Sequence, residues 1–201
     1  KVARDSYHHF IKLLGSSFGV QFIDFYRVAN GIPRETEVAI PWEKALIPEL
    51  FPAPRQLSKA ENPFGTDRGS VYTALYIDPD VFLRRLVHDF RLAGGKIESR
   101  YFMDATSVLS VPEKTIVNCT GVGASKIFID RHLLPIKGQL VALLPQDDVD
   151  YILFSPGGHL MRRNNLIVLG GSHEEGNWDT TADLEVAKRI LQKHRAFFAS
   201  Y

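Results

Sequence analysis

The feature that most constrains this chain is a short apolar run that leads directly into a turn of small residues. Residues 116–119 read Ile-Val-Asn-Cys, a pattern typical of a buried parallel strand, and Thr-Gly-Val-Gly-Ala follows over 120–124. Small residues at the end of a strand leave main-chain N–H groups accessible, which suits a flat or phosphorylated ligand. An ordinary tight turn is the alternative, because a Gly-x-Gly after a strand is weak evidence alone.

Composition excludes several classes of protein. With 201 residues, 45% of them hydrophobic, the chain can bury a core as one large domain or two small interleaved ones. The 24 basic and 23 acidic residues nearly balance, and no block of Lys and Arg marks a nucleic-acid surface. No apolar run approaches the ~18 residues that span a bilayer. We therefore expect no nucleic-acid partner and no membrane association.

The cysteine content and the chain ends predict a compartment and a longer parent protein. Because Cys119 is the single cysteine, no disulfide forms within the chain, and we expect a buried, inert thiol. This favours a reducing, cytoplasmic location, or a peroxisomal one in a eukaryote. The chain begins at Lys1 without an initiator Met, so we expect an excerpt of a longer protein.

Helices and strands alternate through the first part of the chain. Apolar spacing predicts a helix over 5–14, strands over 20–28 and 71–77, and a helix over 79–92 that Asp78 caps. The last of these presents a core face, formed by Val81, Phe82, Leu86, Val87, Phe90 and Leu92. Two further strands are expected, over 96–102 and 115–119. The proline-rich stretch 31–68 predicts only short elements.

An antiparallel sheet is predicted for the second part of the chain. Four segments have strand character: 134–144, 151–154, 159–162 and 166–169. Asn164-Asn165 is typical of a hairpin turn between the last two. A final helix carries Leu184, Val186, Ala187, Ile190 and Leu191 on one face.

Three short segments occur in a distinctive order: VNCTGVGA (117–124), PIKGQ (135–139) and LGGSHEEGNWD (169–179). With the strand–helix pattern around them, they resemble the D-amino acid oxidase family of FAD-dependent oxidoreductases. The likeness covers most of the chain, and three motifs in order are more specific than one.

The resemblance implies an α/β fold, with a partial doubly wound FAD-binding domain interleaved with a substrate domain built on a mixed, mostly antiparallel sheet. It assigns 1–24, 78–125 and 180–201 to the FAD domain, and 25–77 and 126–179 to the substrate domain. Family members also carry an N-terminal Gly-x-Gly-x-x-Gly and a C-terminal segment with a substrate-binding Arg. This sequence contains neither.

The resemblance also implies which residues meet FAD: Phe102, Thr120, Gly121, Gly123, Lys137 and Gly138. Glycine there permits close approach of the cofactor, and a cation stabilises negative charge on a reduced flavin. Each has an alternative. The glycines serve a simple turn, Phe102 belongs to the core, and Lys137 forms a structural salt bridge between domains, the interpretation we favour.

His159 stands where the family places a tyrosine in the active-site wall, which makes it the candidate catalytic and substrate-binding residue. A histidine does not reproduce the shape of a tyrosine, so an altered substrate range is expected. Arg162 is a second substrate-binding candidate, although alternation puts Met161, not Arg162, on the strand face of His159. The alternative is that His159 and Arg162 are both surface residues without a functional role. His173-Glu174-Glu175 lacks a second His, so no metal site is expected.

The implied reaction is oxidative deamination of an amino acid, with hydride passing from the substrate α-carbon to flavin N5 and molecular oxygen as the acceptor. A flavin oxidase of another amine (glycine, D-aspartate or a secondary amine) is one alternative. A non-catalytic remnant that binds a ligand without FAD is the other. The expected partners are a small amino acid or amine and, through an exposed sheet edge, further copies of the chain in a homo-oligomer.

Overall fold

The structure is a computed structural model that describes residues 1–15, 17–29, 50 and 52–200. Its helices are α1 (Val2–Ile11), α2 (Pro79–Leu92), α3 (Ala105–Leu109), α4 (Ala124–Ile127) and α5 (Leu184–Phe198). Its strands are β1 (Val20–Ala29), β2 (Arg55–Leu57), β3 (Arg68–Ile77), β4 (Ile136–Lys137), β5 (Leu140–Leu143), β6 (Tyr151–Ser155), β7 (Gly158–Arg163), β8 (Leu166–Gly170) and β9 (Glu174–Glu175). Much of the proline-rich stretch, residues 30–49, lies outside the described residues.

One large mixed sheet organises the described chain. Its seven strands run in the order β2-β3-β1-β6-β7-β8-β5, and all neighbours are antiparallel except the parallel pair β1 and β6. Strands β4 and β9 form a separate small sheet. The predicted α/β class and mostly antiparallel sheet are confirmed.

The hydrophobic core lies between this sheet and α5. Val186, Ile190 and Phe197 of α5 cluster with Leu153, Leu160, Ile167 and Leu169 of β6, β7 and β8. We call this side of the sheet the core face, and the opposite side, which carries Phe25, Phe154, His159 and Met161, the far face. Since side chains alternate along each strand, the register that buries the leucines also sets what the far face displays.

Asp78, which directly follows β3, connects the start of α2 to the turn between β7 and β8. One carboxylate oxygen accepts from the backbone N–H groups of Asp80 and Val81 and so caps α2, while the other accepts from the N–H of Asn164 in the β7–β8 turn. The side chain is buried, and both of its oxygens have donors, which offsets the desolvation of its charge. The predicted cap and hairpin turn are therefore confirmed.

Two predictions of buried structure are wrong. Residues 96–102 and 115–119 form no strands, because no described strand pairs with them. Cys119 is consequently exposed, not buried. The predicted strand over 134–144 is split into β4 and β5.

The predicted core face of α2 is also absent from the described structure. None of the helix's side chains is buried, and the exposed fractions of Leu86, Val87 and Phe90 are 44%, 40% and 50%. The amphipathic pattern correctly predicted the helix, but no described surface buries its apolar side chains.

The division into two domains stays a prediction. Strand β1 runs through the expected boundary at 24/25, and α5, assigned to the FAD domain, packs on the large sheet. Within the described ranges, no helix is long and apolar enough to cross a membrane.

Replacing Leu153 by Ala tests the core. Its side chain is fully buried between the sheet and α5, so we expect the variant to lose about 2–5 kcal/mol of unfolding free energy, measured by urea denaturation. Leu166→Ala is the matched control, because Leu166 is 39% exposed in the same sheet and should cost about 1 kcal/mol or less. Equal losses in the two variants would contradict this packing.

Candidate active site

One row of directly opposed residues crosses all seven strands of the large sheet. In spatial order the row comprises Gln56, Ser70, Arg27, Phe154, His159, Gly170 and Leu140. Directly opposed residues project to the same side, so the whole row lies on the far face. It runs near the carboxyl ends of β1, β6 and β8, where the chain leaves the sheet through Gly170-Gly171.

The imidazole ring of His159 packs directly against the backbone of Gly170. A Cβ atom on Gly170 would overlap the imidazole ring, so only glycine allows the ring this position. The ring centroid lies 6.5 Å from that of Phe154 on the other side. Burial, with a smaller contribution from His194, lowers the pKa of His159 below its ordinary value. The imidazole is therefore neutral at pH 7, with one nitrogen that donates and one that accepts a hydrogen bond.

His194 supports the same strand from the core face. It is 2% exposed, and its Nε2 lies 3.2 Å from the carbonyl oxygen of Gly170. Because a carbonyl only accepts, Nε2 carries the hydrogen and Nδ1 is unprotonated. Burial lowers the pKa of His194, although the bond to Gly170 opposes that shift. Gly170 is thus held between two histidines, one on each face of the sheet.

The other predicted substrate residue is separated from His159. Met161 shares the far face, as alternation predicted, whereas Arg162 is paired with Ile167 on the core face. The carbonyl oxygen of Arg162 accepts a hydrogen bond of 2.6 Å from the Tyr76 hydroxyl. Burial raises the pKa of that hydroxyl to about 12, so it remains a donor at neutral pH. A substrate-binding role for Arg162 stays a prediction.

The turn predicted to meet FAD is exposed and sterically open. Residues 121–123 form a single 3₁₀ turn, and Gly121 has φ +56°, which favours glycine. Gly123 has an ordinary φ of −62°, and a Cβ there would meet no atom closer than 4.0 Å. Nothing within the described chain requires glycine at 123. The open backbone therefore fits the close approach of an external flat group, as FAD requires.

Lys137 makes structural contacts. Its Nζ donates to the carbonyl oxygen of Thr181 at 2.9 Å and lies 3.3 Å from Asp179 Oδ2, and the side chain is 14% exposed. Hydrogen bonds from Thr181 and then from Lys137 lower the pKa of Asp179 to about 2. These contacts are consistent with the salt-bridge interpretation of Lys137. A direct role toward FAD stays a prediction.

Gln139 strengthens the same junction between the entry to β5 and the start of α5. Its side-chain amide exchanges two hydrogen bonds with the backbone of Asp183, of 2.6 and 2.7 Å. Asp183 in turn caps α5. Gly138, between these two anchored residues, is exposed, and its backbone stays accessible.

A cation–π contact brings the two glycine-containing segments toward each other. Lys126 of α4, just after the 121–123 turn, lies 5.8 Å from the ring centroid of Trp178, which precedes Asp179. Among the described residues, the half-buried Phe102 has no hydrogen bond or ring contact with these segments. Across the described ranges, no three His, Cys, Asp or Glu side chains are grouped to hold a metal ion.

Sequence reasoning missed Arg27 and Phe154. Alternation in residues 20–28 puts Phe25 and Arg27 on one side of a strand, but the partner strand lies more than a hundred residues later. A parallel pairing of that separation leaves no local signal. This row of residues could therefore be recognised only from the strand pairing in the structure.

Comparison with known proteins places the chain in a family. The family model described as FAD dependent oxidoreductase (DAO) matches residues 2–200. The chain therefore belongs to the FAD-dependent oxidoreductase (DAO) family, whose cofactor is FAD, and the resemblance read from the three motifs is confirmed.

Two individual relatives match more than two thirds of the chain at 28% and 29% identity. The D-amino-acid oxidase of Dictyostelium discoideum is 29% identical over 143 residues, 69% of this chain and 40% of that protein. The D-amino-acid oxidase of Rubrobacter xylanophilus is 28% identical over 175 residues, 83% of this chain and 52% of that protein. The chain thus spans about half the length of these relatives.

A solved structure shares the fold. The iminodiacetate oxidase from Chelativorans sp. BNC1 superposes with a TM-score of 0.67 at 13% identity, over 98% of this chain and 61% of that chain. At this identity the likeness concerns the fold alone.

The buried histidine predicts a pH-dependent stability. Because the folded-state pKa of His194 is lowered, its contribution to stability is complete above the unfolded value of about 6.5 and falls as the pH drops below it. We expect the unfolding free energy, measured in urea from about pH 7.5 to 5, to fall less steeply in His194→Gln than in the unsubstituted chain.

His132→Gln, which replaces an exposed histidine, is the control and should keep the original slope. An unchanged slope in His194→Gln would contradict the burial of a neutral imidazole at position 194.

Proposed function

We propose that this chain is part of an FAD-dependent enzyme that oxidatively deaminates an amino acid, and that the substrate lies against the far-face row around Phe154 and His159. The observation that carries the proposal is the position of that row. It ends at Gly170 and Leu140, beside the PIKGQ and LGGS segments. The residues expected to face substrate are therefore adjacent to two of those expected to face FAD, Lys137 and Gly138.

The open backbone around Gly121 and Gly123 is proposed to hold FAD, together with Thr120, Gly138, Lys137 and Phe102. When bound, FAD would supply the oxidising power by accepting one hydride, which carries two electrons and one proton, from the substrate carbon. The proposed domain division follows, with 78–125 contributing to the cofactor side and 126–179 to the substrate side. Molecular oxygen is the proposed acceptor.

The protein's part in this reaction is positioning. The neutral His159 imidazole offers a donor or acceptor to a polar group of the substrate, and its seat on Gly170 limits its rotation. Phe154, Met161 and the buried Ile152 provide an apolar floor that excludes water from the reacting carbon. We propose His159 as the substrate-orienting residue of the site.

A flavin oxidase of another amine is the second candidate. The observation that favours it is the size of His159, since an imidazole leaves more space and a different hydrogen-bond pattern than a tyrosine. Glycine, D-aspartate or a secondary amine would then be preferred. The exposed apolar side chains of α2 favour association of copies as a homo-oligomer.

Gly123→Val tests the cofactor turn. Because no described atom limits a side chain at 123, the variant should fold normally, while its branched side chain would obstruct FAD. We expect FAD affinity, measured by quenching of flavin fluorescence, to fall about tenfold or more. Ala93→Val, at the exposed end of α2, is the control and should bind FAD like the unsubstituted chain. Unaltered FAD affinity in Gly123→Val would exclude this turn.

His159→Phe tests the substrate wall. The ring area is retained but the hydrogen-bonding nitrogens are lost, so kcat/KM for the best D-amino acid should fall about tenfold or more without a change in FAD affinity. Met161→Leu, on the same face, preserves an apolar side chain and should change kcat/KM by about threefold or less. Equal effects of the two substitutions would count against an orienting role for His159.

A further inference from the structure

The turn between β6 and β7 contains two adjacent glycines that bring it close to α5. A Cβ atom on Gly157 would lie 3.1 Å from the carbonyl oxygen of Lys193. A Cβ atom on Gly158, whose φ is +126°, would overlap the carbonyl oxygen of Gly170 and lie 2.9 Å from Nε2 of His194. A larger residue at either position would push the turn away from the helix.

The imidazole of His194 fills the space that these glycines leave. It is 2% exposed, and its Nε2–H donates to the carbonyl oxygen of Gly170 over 3.2 Å. Nδ1 is also buried, and no described residue donates a hydrogen bond to it. Because an unpartnered buried acceptor lowers stability, packing alone does not account for a histidine at this position. The contribution of the imidazole lies in the bond that its other nitrogen makes.

Gly170 connects His194 on the core face to His159 on the far face. The two residues Gly170 and His159 are directly opposed in the pairing of β7 and β8, and a Cβ atom on Gly170 would overlap the ring of His159. A movement of the Gly170 backbone therefore changes the surface against which that ring packs. Closely packed groups transmit such a displacement, because no empty space absorbs it.

The backbone of Gly170 is also the tightest support that the described structure gives to His159. The ring centroid of Phe154 is 6.5 Å away, in the outer part of the range for ring contacts. Among the described residues, none forms a hydrogen bond with the ring nitrogens of His159. The orientation of the ring therefore depends on where Gly170 lies.

We propose that His194 is a positioning residue for His159. By holding the carbonyl group of Gly170 from the core face, His194 fixes the backbone against which the His159 ring packs, and so fixes the direction in which the ring nitrogens meet the substrate. The inference rests on the proposed function and deepens it, because it assigns substrate orientation to two histidines on opposite faces of the sheet. It also gives the Gly157-Gly158 turn a role, which is to admit the imidazole of His194.

The test uses nuclear magnetic resonance of the chain labelled with ¹⁵N in histidine, at neutral pH, with the His159 ring resonances assigned from His159→Phe. The ¹⁵N shifts of the ring report which nitrogen carries the hydrogen. We expect His194→Met, which fills the space but donates no hydrogen bond, to shift and broaden the His159 resonances. His194→Gln should restore them, because its amide nitrogen is as many bonds from Cβ as Nε2 of histidine and can donate to the same carbonyl.

Turnover of the FAD-loaded chain gives a second readout. His194→Met should lower kcat for the best D-amino acid about tenfold with little change in KM, because orientation is lost and affinity is not. His194→Gln should keep kcat within about threefold of the unsubstituted chain.

Val186→Ala, on the same buried face of α5, is the matched control. It removes core contacts but no hydrogen bond to Gly170, so the His159 resonances and kcat should stay unchanged. Equal shifts in Val186→Ala and His194→Met would overturn the proposal, since general loosening of α5 would then be the cause. Unshifted His159 resonances in a folded His194→Met would also overturn it.

The unsubstituted chain decides the matter if His194→Met does not fold. The Nε2–H proton of His194 should exchange slowly with solvent and show cross-relaxation with Gly158 and Gly170, and rapid exchange would overturn the proposal. The outcomes also separate this inference from the proposed function. His159 resonances that depend on His194 in a chain that oxidises no amino acid would contradict the oxidase alone. Oxidation of a D-amino acid with His159 resonances that ignore His194→Met would overturn the positioning role alone.

Discussion

The pairing register of β1, β6, β7 and β8 is the constraint on which the rest of this structure depends. In that register Leu153, Leu160 and Leu169 face α5, while Phe154, His159 and Gly170 face the other side. Because side chains alternate, a slip of one residue would bury His159 in the core and expose the leucines. The free energy gained by burying the leucines therefore also holds the far-face row in place. A binding surface on paired strands is positioned more rigidly than one on loops.

The two sides of the proposed site differ in how completely they are built. The substrate side rests on paired strands, with Gly170 held between His159 and His194. The cofactor side is an exposed turn, preceded by a segment that forms no strand. The junction of Lys137, Gln139, Asp179 and Asp183 ties the entry of β5 to the start of α5. Next to it, Trp178 contacts Lys126, which follows the turn. This junction explains why the PIKGQ and LGGSHEEGNWD segments occur together.

Local sequence signals predicted most helices and strands, whereas which strands pair and which faces are buried depends on contacts between residues distant in sequence. Asp78 before Pro79 and the Asn164-Asn165 turn marked element ends correctly, because their chemistry acts over a few residues. Residues 115–119 had the composition of a buried strand but no described partner, so composition alone misjudged them. His159 was identified through the family motif, whereas Arg27 was not, because its place beside Phe154 depends on strands distant in sequence. The predicted core face of α2 was wrong for the same reason, because amphipathicity predicts a helix but does not say against which surface the helix packs.

The most direct test of the central claim is the visible absorption spectrum of the chain with FAD, recorded without oxygen before and after addition of a D-amino acid. The account predicts a protein-bound flavin band that bleaches with the D-amino acid. A bound flavin that no amino acid reduces, or no bound flavin with FAD in excess, would contradict the claim that this sheet and turn together form an amino acid oxidase site.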